Sequence, residues 1–247
     1  MPDAWIYGAV AITFLLAGIV KGVVGFGLPT VSMALMSIVL APVEAAAVLV
    51  IPTLVTNVWQ MFAGPALVAM AKRFAWMTVG IVAGTFATIG LLTGSSTATA
   101  SGALGAVLAA YAVYGLAAAR FEVRPAHERW LSPPVGLATG MLTGATGIFV
   151  IPVVPYLSAL KLGKEELIQS IGIAAFVCPL ALGLALLAHG RYETSLAGPS
   201  FLAVLPAVAG MAFGQRVRGR MHPVVFRRWF FVGLLVLGAY MFLRSVR

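Results

Sequence analysis

Lys21-Gly22-Val23-Val24-Gly25-Phe26-Gly27-Leu28-Pro29 is a glycine-rich break between two apolar segments, Ala4 to Val20 and Thr30 to Leu40. An ordinary transmembrane helix has no use for it. Glycine and proline loosen a helix, and a lysine at membrane depth is costly without a partner or water. A broken helix does, however, expose backbone N–H groups and the positive end of a dipole, where a small anion docks well. The break reads as the start of a binding site, with Lys21 supplying charge opposite to an anion's.

Composition fixes the solvent. The 247 residues are 61% apolar and 9% charged, and apolar runs of about twenty residues recur along the chain, the length that spans a bilayer. The class is an all-α polytopic membrane protein. Sixteen Lys and Arg against seven Asp and Glu would raise nucleic acid as a partner in a soluble protein; here positive loops facing the cytoplasm explain the excess, and nucleic acid is set aside. The single cysteine, Cys178, permits no internal disulfide and no thiolate metal cluster. Met1-Pro2-Asp3 lacks the basic start of a signal peptide, so no cleaved leader is expected. His127, His189 and His222 show no metal-ligand or catalytic spacing, and no nucleophile elbow, P-loop or paired catalytic carboxylates occur. Neither enzyme chemistry nor a cofactor is expected.

In order, the apolar segments are Ala4 to Val20 with Leu28 to Leu40, then Val43 to Phe62, Ala75 to Leu92 and Ala98 to Ala118. After a polar interval, Arg120 to Arg129, come Leu131 to Leu160 with its own break, Leu167 to Ala188, Leu196 to Phe213 and Trp229 to Leu243. This divides the chain into a first repeat, 1–119, a cytoplasmic connecting loop, 120–130, and a second repeat, 131–247. Adding 122 to Gly18, Gly22, Gly25 and Glu44 gives Gly140, Gly144, Gly147 and Glu166, and adding 126 to Gly84 and Tyr114 gives Gly210 and Tyr240. The halves are two weakly similar four-segment units.

Charge tests the topology. If each broken region crosses once, the fifteen loop Lys and Arg, all but Lys21, split eight to seven, against the positive-inside rule. If each is a re-entrant hairpin, Lys72, Arg73, Arg120, Arg124, Arg129, Lys161, Lys164, Arg216, Arg218, Arg220, Arg227 and Arg228 share one side, and only Arg191, Arg244 and Arg247 lie opposite. The expectation is therefore six crossings plus two hairpins, with inverted halves and both termini periplasmic. Trp5, Trp76, Trp130 and Trp229 mark the interfaces, and the run from Arg216 to Arg228 is placed against anionic lipid headgroups.

Inverted hairpins bring their tips together near the midplane. The expected substrate-binding residues are Lys21, Gly22, Gly25, Phe26 and Gly27 from the first break and Thr143, Gly144, Thr146 and Gly147 from the second. Thr53, Asn57 and Gln60 join them from the polar side of the next helix. Two bland readings stand beside this one. The glycine spacings Gly136/Gly140/Gly144, Gly80/Gly84 and Gly210/Gly214 suit close helix packing, which is preferred for the last two pairs, and Asn57 and Gln60 equally suit interhelical hydrogen bonds. Glu44 and Glu166 read as caps of their helices, with proton coupling as the alternative.

The break Gly22-Val23-Val24-Gly25-Phe26-Gly27, the Ala-rich helix opened by Glu44 and the recurrence from Leu137 to Ile151 resemble the sulfite exporter TauE/SafE family, also called the 4-toluene sulfonate uptake permeases. The resemblance implies a bacterial inner-membrane transporter of sulfite, sulfonates such as sulfoacetate or taurine, or related small anions, with the substrate and membrane lipids as partners and coupling to protons or another ion open. An anion channel, a carrier of small carboxylates and a membrane scaffold are the competing readings; of these, a carrier accounts together for break, repeat and Lys21.

Overall fold

A computed structural model describes residues 4–62, 65–117, 122–192, 196–218 and 223–246. Met1 to Asp3, Arg120, Arg220, His222 and Arg247, used above, lie outside the described residues. The described chain is all helix and turn, without strands. In order the helices are α1 (Ala4–Val24), α2 (Leu28–Met36), α3 (Pro42–Met61), α4 (Leu67–Arg73), α5 (Ala75–Gly94), α6 (Thr97–Ala117), α7 (Pro125–Thr146), α8 (Val153–Ala159), α9 (Lys164–Ala188), α10 (Ala197–Leu202), α11 (Val204–Arg218) and α12 (Pro223–Val246).

Among the described residues, six helical stretches are long and apolar enough to cross a membrane: Trp5–Val24, Ala75–Gly94, Thr97–Ala117, Lys164–Ala188, Ala197–Arg218 and Val225–Ser245. Six were expected, but not this set. The segment before the first break is longer than expected: it runs four residues beyond Val20 to Val24 and is long and apolar enough to cross, whereas the apolar part of α3, Pro42–Val58, is shorter. The polar interval is likewise no plain loop, since α7 begins within it at Pro125, a residue suited to a first helical position. Bulky apolar side chains such as Leu16, Val79, Leu91, Leu187 and Val236 face outward, as do Trp5, Trp76, Trp130 and Trp229.

Glycine sets the helix pairing. A Cβ at Gly18 would overlap the Ala207 carbonyl oxygen and one at Gly22 that of Met211, while Gly210 and Gly214 lie against Leu15 and Ile19. Residue numbers rise together, so α1 and α11 run parallel. Gly136, Gly140 and Gly144 meet Met77, Ile81 and Thr85 in the same way, making α5 and α7 a second parallel pair. By contrast, Gly105 meets Gly238 while Gly115 meets Phe231, and Gly172 meets Met61 while Gly183 meets Val50, so α6–α12 and α3–α9 are antiparallel. Lipid supplies no hydrophobic drive between helices, and small residues let backbones approach and gain dispersion contacts instead.

The short helix α2 sits at the centre: eight of its nine residues are buried, and it packs on α1, α3, α6 and α12. That enclosure is what non-helical backbone at membrane depth requires. Glu44 accepts the Ala41 N–H at 2.8 Å and Glu166 the Gly163 N–H at 3.1 Å, so both carboxylates cap their helices. Several links gather the basic loops at one end of the bundle: the Arg73–Glu128 ion pair at 2.6 Å, Lys161–Glu122 at 2.7 Å, and the Ala66 N–H on Gln169 Oε1 at 3.0 Å.

Close packing of this kind tolerates no added volume. Gly140→Ala is expected to destabilise by about 1–3 kcal/mol, the usual cost of overpacking, read as earlier thermal unfolding in detergent. Gly90→Ala, where nothing lies within 4 Å of the new Cβ, is expected to be neutral or stabilising, since alanine is the better helix former.

Candidate functional site

The first break is narrower than the sequence suggests. Gly25 N–H still bonds the Lys21 carbonyl at 2.7 Å, so Lys21 and Gly22 belong to α1, and the chain leaves the helix only at Gly25, Phe26 and Gly27. Gly25 (φ 92°) and Gly27 (φ 103°) hold left-handed backbone, which favours glycine. In the second half α7 ends at Thr146, and Gly147 takes φ 72°. There the Thr146 hydroxyl bonds back to the Leu142 carbonyl at 2.7 Å and receives the Ile148 N–H at 3.3 Å.

Both breaks line one pocket. Its wall includes Lys21, Phe26, Gly27 and Pro29 from the first, Phe149, Val150, Val153 and Val154 from the second, and Asn57, Gln60, Ile171, Ala174 and Ala175 from α3 and α9. Its free space is about 20 Å³, about one water and far below the roughly 300–1,000 Å³ of a site holding a drug-sized ligand. The pocket is closed around its polar groups.

Lys21 is 5% exposed. Its ammonium donates to Thr56 Oγ1 at 3.1 Å and to Asn57 Oδ1, and none of the ion pairs among the described residues includes it. Asn57 is held from the other side, where its Nδ2 donates to the Ala175 carbonyl at 2.6 Å. That carbonyl is free because Pro179, four residues on, has no N–H to give it. Pro52 frees the Val48 carbonyl in the same way, and Ser200 Oγ fills it at 2.7 Å. Each interior proline of these two helices, Pro52 and Pro179, thus leaves an acceptor that another helix satisfies.

Of the twelve expected site residues, Lys21, Phe26, Gly27, Asn57 and Gln60 line the pocket. Gly25 and Gly147 shape the breaks, and Gly147 lies against Met33 of α2. Gly22 and Gly144 are instead packing glycines against α11 and α5. Thr143 bonds its own helix at Thr139, and Thr146 caps the break as described. Thr53 is fully buried, its hydroxyl without a partner among the described residues. The apolar wall after the second break escaped the sequence reading, as did Ala175, although Pro179 marks that carbonyl by position.

Fold and pocket define a polytopic helical membrane protein with a buried, unpaired cation between two broken helices. The family model Sulfite exporter TauE/SafE matches residues 10–241, and the chain belongs to that family of anion transporters. No curated protein and no solved structure matches it.

Asn57→Leu strands the Ala175 carbonyl and leaves the Lys21 ammonium with Thr56 as its one partner among the described residues. A loss of about 1–3 kcal/mol per unsatisfied buried group is expected, more for the charge, whereas Gln60→Leu, on the same wall, is expected to cost less. Thermal unfolding of the two variants side by side checks this order.

Proposed function

We propose that this chain is a secondary transporter carrying small sulfur oxyanions or organic anions, such as sulfite, sulfoacetate or taurine, across a bacterial inner membrane, with its substrate site at the Lys21 pocket. The observation that carries the reading is the Lys21 ammonium. It is buried and bonded to two neutral side chains, with no carboxylate paired to it among the described residues. A buried charge without an opposite charge is expensive, and a docked anion supplies the missing one. Gln60 adds an amide donor, and the break residues add backbone N–H groups.

Two inverted halves support alternating access around this site. Helices at corresponding places, α3 with α9 and α6 with α12, pack antiparallel, and the α1–α11 pairing corresponds to α7–α5 once the halves are exchanged. The linker after α2 lies beside the C-terminal end of α12, away from the basic loops, as a hairpin entering from the periplasmic face requires. Coupling to protons or another ion belongs to the same proposal.

Thermal stabilisation of the detergent-purified protein tests the substrate. Sulfite, taurine, sulfoacetate and matched carboxylates are screened; a bound anion at a hundredfold its Kd adds about 2.7 kcal/mol. Lys21→Gln should abolish the effect, as should Asn57→Asp, which places a carboxylate beside Lys21. Stabilisation that survives both substitutions refutes the site, and stabilisation by carboxylates alone transfers the site to a different anion. Topology is checked separately with single cysteines replacing Arg73 and Arg216. Both should react with an impermeant thiol reagent from the cytoplasmic face, and labelling from opposite faces rules out the hairpins.

A further inference from the structure

A second cavity, of about 400 Å³, lies where the α2–α3 linker, the start of α6 and the end of α12 meet. Its polar lining is Ser37, Thr97, Ser101, Tyr240, Arg244 and Ser245, over an apolar floor that includes Met241. No Asp or Glu among the described residues lines it, and Glu44, just beyond the linker, is turned to its cap on Ala41. Arg244 makes no ion pair among the described residues. Ser37 Oγ is shielded from solvent and has no hydrogen-bond partner among them. The space is ample for a small ligand, and a guanidinium with hydroxyl donors suits an oxyanion.

Position gives the cavity its meaning. Pro29, near the start of α2, lines the Lys21 pocket, and Ser37, which caps its end, lines this cavity. Eight residues of helix separate them by about 12 Å. We infer that the cavity is a second oxyanion site, centred on Arg244, and that α2 is the partition between it and the Lys21 pocket. Its occupant is a sulfite-, sulfonate- or phosphate-type group, drawn either from a free anion waiting outside the partition or from the headgroup of an anionic lipid.

The test uses the full chain carrying Lys21→Gln, so that the central pocket contributes nothing. Delipidated protein is titrated with sulfite and with inorganic phosphate by thermal shift. In parallel, the same protein is compared in nanodiscs of phosphatidylglycerol and of phosphatidylcholine. Saturable stabilisation by a free anion, weakened at least tenfold by adding Arg244→Gln and restored by Arg244→Lys, supports the site with a soluble occupant. Stabilisation by phosphatidylglycerol alone, with the same dependence on Arg244, supports it with a lipid occupant. A second measurement needs no change at Lys21: Ser101→Cys should be alkylated by a thiol reagent at least tenfold more slowly when the anion or the anionic lipid is present. No response to either source, or a response indifferent to Arg244, overturns the inference. Because Lys21 and Arg244 are probed separately, failure of this site leaves the central one standing, and the reverse.

Discussion

In hydrocarbon a backbone carbonyl has no water to turn to, so each one that a proline frees must be answered from elsewhere in the protein. The Ala175 carbonyl, released by Pro179, is answered by the Asn57 amide. That bond fixes which way the amide points, and therefore presents its oxygen to Lys21. A helix defect in α9 thus orients a side chain of α3, which in turn holds a cation of α1. The arrangement of three helices at the pocket follows from one missing N–H.

Glycine serves two purposes that a sequence does not separate. At Gly22 and Gly144 it lets a neighbouring helix approach, whereas at Gly25, Gly27 and Gly147 it takes left-handed backbone and ends a helix. All five stand in similar apolar surroundings in the chain. The all-helical class, the two breaks and the caps at Glu44 and Glu166 were legible because each rests on local chemistry or on periodicity. So was the unusual setting of Lys21, since an unexplained charge in an apolar run stands out. The apolar half of the pocket was not legible: Phe149, Val153 and Ile171 look like any lipid-facing or core residue until the fold brings them together. The length of α1 was hidden for a related reason, because Gly22 reads as a breaker until α11 is seen packed against it.

The halves differ where they correspond. Lys21 bonds Thr56 in the first; 122 residues on in each case stand Thr143, which bonds its own helix at Thr139, and the buried thiol of Cys178. Similar helices therefore surround a charged contact on one side of the pocket and a neutral one on the other. An inverted pair built from identical halves would present the same groups to both faces of the membrane. Here Lys21 stands in the first of the two stretches alone, so the two corresponding contacts differ in charge.

The pocket holds space for about one water. A membrane under a potential drives each mobile charge with about 2.3 kcal/mol per 100 mV, and a water-filled path through the protein would let small ions run down that gradient. The small free space around Lys21 leaves little room for such a path at this pocket.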